Sequence, residues 1–288
     1  DADLALYEAK AAGGRCVRVF DAAMRGRADD RQEVEIGLRA ALRDGELDVA
    51  YQPLLAVRTG ETVGVEALLR WPGRPELPIS DAIEVAESCG LIGQLGDWVL
   101  RRACSDVAEL NRRAGSAISV AVNVSVLQLS QPDYCEHVRA ALAECELDPS
   151  LLTLELTETF LADDPGRAAQ ILSQLRSLGV RLEIDDFGVG YSSLSRLSVF
   201  ALDGLKVDRS FTAGLGHDAT ADSVVSAIIA LAKSLDLTVR AGGVETADQA
   251  SILESMSCEY AQGYYFARPM PLPELAALLG GNRLIPAG

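Results

Sequence analysis

Two adjacent acids, Asp185 and Asp186, interrupt an apolar run in the stretch Arg181–Leu194, whose sequence is RLEIDDFGVGYSSL. The run has the pattern of a strand, and the Gly-rich segment after Phe187 predicts that the strand ends there. An acid pair at the carboxyl end of a strand is typical of the chemical sites of α/β sheets and barrels, and here it indicates metal binding. The alternative interpretation is that both acids are ordinary turn residues.

Polar side chains recur near the ends of other apolar runs. Carboxylate and amide oxygens are hard ligands that suit Mg²⁺, Mn²⁺ or Ca²⁺. A single glutamate on a strand is most often solvated or a cap, but the same placement on six predicted strands favours one shared site. The residues concerned are Glu66, Asn123, Glu155, Glu158, Asp185, Asp186, Lys206 and Gln262.

Strand patterns alternate with helix patterns from Asp48 onward, which is typical of parallel β/α architecture. Eight strand candidates in roughly 230 residues predict an α/β fold, a modified TIM (β/α)₈ barrel. Only the turn Arg58-Thr59-Gly60 separates the first two strands, too short for a parallel crossover, so we expect the first strand to run antiparallel. The predicted strands are DVAYQPLLAV, TVGVEALLRW, ISVAVNVS, LTLELTE, VRLEIDDFG, LDGLKVDRSF, TVRAGGVET and EYAQGYYFA. The predicted helices are Ile83–Cys89, Gly96–Ala114, Asp133–Cys145, Pro165–Leu178, Ala221–Leu235 and Ala247–Ser255.

The composition excludes several classes of protein. The chain has 288 residues, 49% of them hydrophobic, and its net charge of −16 argues against binding duplex nucleic acid through a basic surface. No apolar run approaches the ~18 residues of a membrane helix, and the N-terminus lacks a signal-peptide pattern, so we expect a cytoplasmic chain, whether or not the full-length protein is attached to a membrane. Two histidines disfavour a zinc site or a Ser-His-Asp hydrolase, and six scattered cysteines indicate reduced thiols.

Seven motifs occur in order over Tyr51–Pro273: VEALLRW, AVNVS, ELTET, IDDFGVGYSSL, LKVDRSF, GVET and AQGYYFARPM. This series resembles the EAL domain, the family of cyclic-di-GMP phosphodiesterases. The resemblance implies a modified TIM barrel that hydrolyses one phosphodiester bond of cyclic di-GMP to give linear pGpG. It also implies Mg²⁺ or Mn²⁺ as the cofactor, inhibition by Ca²⁺, and a homodimer.

The resemblance assigns roles by motif position. Asp185 would bridge two metals, Asp186 would ligate the second, and Lys206 would orient or activate the attacking water. Two metals about 3.5–4 Å apart can polarise a phosphate and ionise a water together. The ligands of the first metal would be Glu66, Asn123, Glu155 and Asp185.

The resemblance also implies a substrate pocket and a loop anchor. Arg70 could pair with a phosphate as a fork, although an arginine is by default a surface residue. Glu158 resembles the family's anchor for the loop Gly188–Ser193, which lies at the usual dimer contact. The residues that line the dinucleotide pocket would be Gln52, Leu68, Arg70 and Gln262.

The N-terminal segment resembles a different domain. Its sequence ADLALYEAKAAGG followed by CVRVF is similar to the C-terminal end of a GGDEF diguanylate cyclase domain. We therefore expect residues 1–25 to be a GGDEF remnant with a linker, and residues 26–288 to be the EAL domain. The segment Met24–Asp44 is predicted to be a polar linker that runs into a helix, with one buried face formed by Val34, Ile36, Leu38, Ala41 and Leu42.

One residue departs from the family where a metal ligand is expected. The seventh-strand motif of the family usually reads Ala-Glu-Gly-Val-Glu, and here it reads AGGVE, so that Gly242 replaces a glutamate. In the family that glutamate ligates the second metal and has been assigned a role in preparing the water. The second metal site is therefore doubtful, because its water should be harder to ionise without this ligand.

Two further unusual residues, Glu183 and Arg240, each precede a site position by two. On strands of period two, both side chains point into the interior of a barrel. We therefore predict a buried ion pair between them, just beneath the active face. The alternative is that Glu183 itself replaces the missing metal ligand. The loop after Trp71 also departs from the family, with no effect that the sequence defines.

Three functions are consistent with this pattern. The first is a cyclic-di-GMP-binding EAL domain of a bacterial signalling protein, whose phosphodiesterase activity is lost or weakened by Gly242. The second is an active metal-dependent phosphodiesterase, because every other ligand is present. The third is a protein-interaction module, which the retained carboxylates disfavour because their mutual repulsion is costly without a cation.

Overall fold

The computed structural model describes residues 22–188 and 200–280. These residues divide into two compact units. The first unit contains the described residues up to Asp48 together with Arg70–Leu95, and the second contains Val49–Leu69 and the described residues from Gly96 onward. The predicted GGDEF remnant lies mostly outside the described residues.

The first unit is built around two helices, α1 (Ala22–Asp44) and α2 (Ile79–Ser88). The prediction that Met24–Asp44 begins with a polar linker is wrong, because the chain is helical from Ala22 onward. Val34, Leu38 and Ala41 form its buried face at helical spacing, whereas Ile36 falls on another side and is 61% exposed.

The second unit is a closed eight-stranded barrel, which confirms the predicted fold. Neighbouring strands from the second to the eighth are parallel, and the first strand pairs antiparallel with the eighth through Leu55 and Ala56. The first strand therefore runs opposite to all the others, as its short turn predicts. The strands are β1 (Asp48–Ala56), β2 (Thr62–Arg70), β3 (Ser119–Val124), β4 (Leu152–Thr157), β5 (Arg181–Phe187), β6 (Gly204–Val207), β7 (Thr238–Ala241) and β8 (Tyr260–Ala261).

Helices alternate with the parallel strands along the chain. The remaining helices are α3 (Ile92–Ala114), α4 (Val126–Leu129), α5 (Tyr134–Cys145), α6 (Glu158–Asp163), α7 (Pro165–Ser177), α8 (Arg209–Ala213), α9 (Ala219–Ser234), α10 (Ala247–Ser255) and α11 (Leu272–Leu279), with a 3₁₀ turn at Pro149–Leu151. Within the described parts of the chain, no helix is long and apolar enough to cross a membrane. Five of the six cysteines fall there, and all five are free thiols.

The last three strands are shorter than the sequence predicts. β6 ends at Val207 because Asp208 accepts a hydrogen bond from the backbone N–H of Ser210 and begins α8. β7 ends at Ala241, shortly before Gly243 with φ of 73°. β8 has two residues, which pair with β7 and with β1 and close the barrel.

Apolar and charged residues alternate along the central strands. Leu154 and Leu156 on β4, and Leu182 and Ile184 on β5, are fully buried. The residue between each pair is a buried glutamate, and strand geometry directs it to the opposite face of the sheet. The interior of the barrel therefore contains charged side chains at the positions of Glu155 and Glu183, next to the candidate site.

Candidate functional site

Lys206 lies at the centre of the barrel's acidic residues. Its Nζ donates hydrogen bonds to Glu155 Oε2 at 2.7 Å, Asp185 Oδ2 at 3.0 Å and Glu66 Oε2 at 3.2 Å. Burial alone would lower the pKa of Lys206, but these carboxylates outweigh burial and raise that pKa well above its ordinary value. The side chain is therefore a fixed ammonium ion.

The carboxylate of Glu66 connects this centre to two neighbouring strands. Its Oε1 accepts from Asn123 Nδ2 at 2.8 Å, and its Oε2 accepts from Gln262 Nε2 at 2.7 Å. Gln262 Nε2 also donates to Gln52 Oε1 at 2.9 Å, and Gln52 Nε2 donates to the carbonyl of Ala267 at 3.1 Å. Two predicted metal ligands and two predicted pocket residues thus form one network.

A second cation, Arg240, lies on the other side of Glu155. Arg240 Nη1 donates to Glu155 Oε1 at 2.5 Å, and Nη2 donates to Glu183 Oε2 at 2.8 Å. The predicted ion pair between Glu183 and Arg240 is confirmed. The contact between Arg240 and Glu155 was not predicted, and it joins both cations through one carboxylate.

Glu183 and Arg240 are almost completely buried, with 7% and 3% of the surface of the whole residue exposed. Burial raises the pKa of Glu183, while Arg240 acts in the opposite direction. Arg240 Nε and Glu183 Oε1 have no hydrogen-bond partner within the described chain. Both residues line a cavity of about 140 Å³ at the N-terminal ends of the strands, and a polar cavity of that size can admit water.

The two acids of β5 diverge at a β-bulge. The register between β5 and β6 shifts between Ile184 and Phe187, and Asp186 has φ of 53°. Its backbone N–H donates to Asp185 Oδ1 at 2.7 Å. Burial and the neighbouring carboxylates of Asp185 and Asp208 raise the pKa of Asp186 to about 6. The bulge thus separates the roles of the two acids, because Asp185 contacts Lys206 while Asp186 faces Asp208.

A cavity of about 300 Å³ opens above this network, at the C-terminal ends of the strands. Gly242 lines it, and the Cβ of a side chain at this position would lie 3.8 Å from Lys206 Cε. Tyr264 also lines it and is 52% exposed, with the Arg268 guanidinium 4.2 Å from its ring centroid. The lining residues include the predicted Gln52, Glu66, Leu68, Asp185, Asp186, Lys206 and Gln262.

Three other predicted residues are not among those that line this cavity. Asn123 is exposed at the end of β3, and Arg70 is the last residue of β2, two positions beyond Leu68. Glu158 is buried at the start of α6, and its Oε2 accepts from the Gly188 backbone N–H at 3.4 Å. The loop that Glu158 is predicted to anchor continues beyond the described residues.

Sequence reasoning missed several residues of the cavity. Asp208 and Arg209 follow β6 directly, and Tyr264 follows Gln262 by two positions. Their proximity to predicted site residues is the signal that could have identified them. Arg240 was predicted to pair with one acid, but its bridge to a second acid depends on how the barrel closes.

The acidic residues fit a hard divalent cation, although Lys206 Nζ occupies their centre in this structure. Among residues 22–188 and 200–280, no three His, Cys, Asp or Glu side chains are arranged as metal ligands. Oxygens of Glu66, Glu155 and Asp185 nevertheless lie within 3.2 Å of one nitrogen, and the Asn123 amide adjoins them. Three carboxylates and one amide are a suitable donor set for Mg²⁺ or Mn²⁺.

Comparisons with known proteins agree with this geometry. Residues 37–269 match the EAL domain family. The chain is 42% identical over 285 residues to "Cyclic di-GMP phosphodiesterase NbdA" of Pseudomonas aeruginosa, covering 98% of this chain and 36% of that protein. It is 39% identical over 279 residues to "Bifunctional diguanylate cyclase/cyclic di-GMP phosphodiesterase MucR" of the same species, covering 96% of this chain and 41% of that protein. The chain thus spans well under half the length of these relatives.

A solved structure gives the same assignment for the fold. The MucR phosphodiesterase in complex with c-di-GMP superposes with a TM-score of 0.81 at 40% identity, covering 84% of this chain and 99% of that one. The residues that match the EAL domain family, 37–269, include every strand of the barrel and the acidic centre around Lys206. The chain therefore belongs to the EAL domain family, the family of cyclic-di-GMP phosphodiesterases.

Proposed function

We propose that this chain binds cyclic di-GMP and that its phosphodiesterase activity is lost or weakened. The observation that carries this proposal is Gly242, which lines the cavity beside Lys206 and brings no carboxylate to it. A Cβ at this position would lie 3.4 Å from the Val207 carbonyl oxygen, in ordinary van der Waals contact. The backbone φ of Gly242 is outside the left-handed region. The backbone at this position therefore accepts a Cβ, so neither φ nor a clash at Cβ requires glycine here.

The first metal would be held by Glu66, Asn123, Glu155 and Asp185, and Asp186 would face a second. A bound Mg²⁺ or Mn²⁺ would polarise a phosphoryl oxygen and lower the pKa of a coordinated water. Ca²⁺ would occupy the same oxygens without supporting turnover. Because Gly242 offers no ligand, the second position would depend on Asp185 and Asp186.

The chain's own residues would orient the reacting groups. Lys206 would act as a compact positive charge next to the attacked phosphate and the water, since its raised pKa keeps the ammonium protonated. This charge orients a water better than it removes a proton from one. Proton removal is thus the step that the missing glutamate would impair most.

The cavity contains groups suited to a guanine dinucleotide. Tyr264 offers an exposed aromatic face, and stacking of a base on such a face is favourable. Arg268 places positive charge against the ring. Arg70 would pair with a phosphate, and the amides of Gln52 and Gln262 would bind polar edges of the ligand.

The principal rival is an active phosphodiesterase. It is favoured by two relatives that are named as phosphodiesterases and by the presence of every other predicted ligand. An interaction module that binds no nucleotide is disfavoured because the chain keeps predicted metal ligands and predicted pocket residues together around one open cavity.

The whole protein would contain an upstream GGDEF domain. Residues 1–25 resemble the end of such a domain, and MucR, 41% of which is covered here, is named as a bifunctional diguanylate cyclase and phosphodiesterase. We propose a homodimer in the cytoplasm as the working assembly, which light scattering with and without nucleotide would test.

Calorimetric titration of cyclic di-GMP into the chain in the presence of Ca²⁺ tests binding without turnover. We expect binding with one nucleotide per chain, weakened by Tyr264→Ala and unchanged by Ile36→Ala, which shortens another exposed apolar side chain. The absence of heat in both Ca²⁺ and Mg²⁺ would favour the interaction module instead.

A further inference from the structure

The acidic centre is fully hydrogen-bonded by the protein itself. Glu66 Oε1 accepts from an amide and its Oε2 from an amide and Lys206, and Asp185 accepts from a backbone N–H and Lys206. Glu155 accepts from Lys206 at Oε2 and from Arg240 at Oε1. All the oxygens of these three carboxylates therefore have donors, which removes the usual cost of burying them without a metal ion.

Arg240 differs from the other donors because it is a second full charge in the same interior. Its side chain is 4% exposed, and those of Glu155 and Glu183 are 0% and 9% exposed. The attraction of both glutamates outweighs burial and keeps the pKa of Arg240 above its ordinary value, so the guanidinium is permanently charged. Glu183 fixes its position by binding the second nitrogen of the fork.

We propose that Arg240 is a built-in counter-cation that satisfies Glu155 without metal and lowers the affinity of the acidic centre for divalent cations. Glu183 is the positioning residue that holds Arg240 against Glu155. This inference rests on the proposed function insofar as Glu155 is taken as a metal ligand.

Arg240 has two opposing effects on the affinity of the acidic centre for a metal ion. Fixing Glu155 in place favours metal binding, but Lys206 already holds the other oxygen of that carboxylate, so Arg240 adds little order. The positive charge of Arg240 opposes a divalent cation bound at Glu155, and Glu183 offsets only part of this repulsion because it contacts Arg240 and not Glu155. Repulsion therefore outweighs ordering, and it acts in the same direction as the missing ligand at Gly242.

Mn²⁺ titration followed by the electron paramagnetic resonance signal of free Mn²⁺ tests the proposal without relying on activity. The main variant is Glu183→Gln with Arg240→Met, which removes both charges together and so leaves no new unpaired buried charge. We expect Mn²⁺ to bind this double variant about tenfold or more tightly than the original chain. Arg240→Lys keeps the charge and should stay within about threefold of the original affinity.

A matched control removes the same two charges from the surface. Glu136 and Arg139 form an exposed ion pair on α5, and Glu136→Gln with Arg139→Met should leave Mn²⁺ affinity unchanged. If the main variant fails to fold, as judged by circular dichroism, Glu183→Leu with Arg240→Leu replaces it with an apolar pair.

The outcomes separate this inference from the proposed function. Tighter binding by the double variant, with Arg240→Lys unchanged, supports the counter-cation. Equal Mn²⁺ affinity in all variants overturns the counter-cation and leaves the metal site standing. Absence of Mn²⁺ binding in every variant, including Gly242→Glu, overturns both.

Discussion

Arg240 Nη2 lies 2.8 Å from Glu183 Oε2 inside the barrel, at a level where a parallel barrel normally packs apolar side chains. The two residues come from β5 and β7, which are not neighbours in the sheet, so their contact crosses the interior. The pair places one positive and one negative charge inside the barrel of this EAL domain without changing its net charge. Its removal therefore has consequences for stability as well as for metal binding.

Removing one partner of the ion pair should lower the free energy of unfolding more than removing both partners. Arg240→Met leaves Glu183 buried without its partner, and we expect it to lower the free energy of unfolding by about 3–5 kcal/mol. Adding Glu183→Gln to this variant should recover most of that loss. Urea unfolding of the metal-free chain measures both effects. A loss below about 1 kcal/mol for the single variant would mean that the pair is not buried as described.

A divalent cation should be able to replace Lys206 as the positive charge that stabilises the acidic centre. Lys206→Met leaves Glu66, Glu155 and Asp185 without their shared ammonium, so the metal-free variant should melt at a lower temperature than the original chain. Millimolar Ca²⁺ should raise its melting temperature more than it raises that of the original chain. Lys233→Met, which removes an exposed lysine from α9, serves as the control. Equal Ca²⁺ shifts in all three proteins would contradict the assignment of the acidic centre as a cation site.

Gly263 lies where no side chain fits. A Cβ at this position would lie 2.0 Å from the Val244 carbonyl oxygen and 2.3 Å from its backbone nitrogen, and backbone atoms cannot move aside as a side chain can. We expect Gly263→Ala to lower the free energy of unfolding by about 1–3 kcal/mol and to weaken nucleotide binding, because Gly263 lines the cavity. Gly166→Ala, on α7 with only a 3.6 Å contact, should be neutral or stabilising by up to about 1 kcal/mol. Thermal melts of both variants compare the two sites, and equal effects would be inconsistent with this geometry.

Asp186 should make the metal-free chain less stable as the pH rises. Its pKa is raised from 3.8 to about 6, so the folded state holds a proton that the unfolded state has lost between these values. The stabilisation from this proton is complete below about pH 4 and is lost as the pH passes through about 6. Asp186→Asn keeps a residue that tolerates positive φ and should be increasingly more stable than the original chain from pH 4 to pH 7. Urea unfolding in a chelator across this range measures the difference, and a constant difference would refute the shift.

The sequence predicted the fold where local patterns determine it. β4 and β5 alternate over six and seven residues, so their bounds and their charged interior positions could be predicted closely. β8 was predicted within EYAQGYYFA, but its length could not be, because only the two residues that close the barrel between β7 and β1 form a strand.

The same distinction applies to the site. The Glu183–Arg240 pair was predictable, because both residues are unusual charges two positions before site residues. The bridge from Arg240 to Glu155 was not, since it depends on the distance across three strands of the closed barrel. The different contacts of Asp185 and Asp186 also depend on a β-bulge, which the neighbouring residues in the sequence do not indicate.

The most direct measurement is the rate of cyclic di-GMP hydrolysis to pGpG with Mn²⁺, followed by chromatography, in the original chain and in Gly242→Glu. We predict slow or undetectable turnover in the original chain and a gain of about tenfold or more in Gly242→Glu, because a restored carboxylate supplies the missing ligand. Gly242→Gln, which fills the same space without a charge, should not reproduce the gain. Brisk turnover by the original chain that Gly242→Glu leaves unchanged would contradict the account.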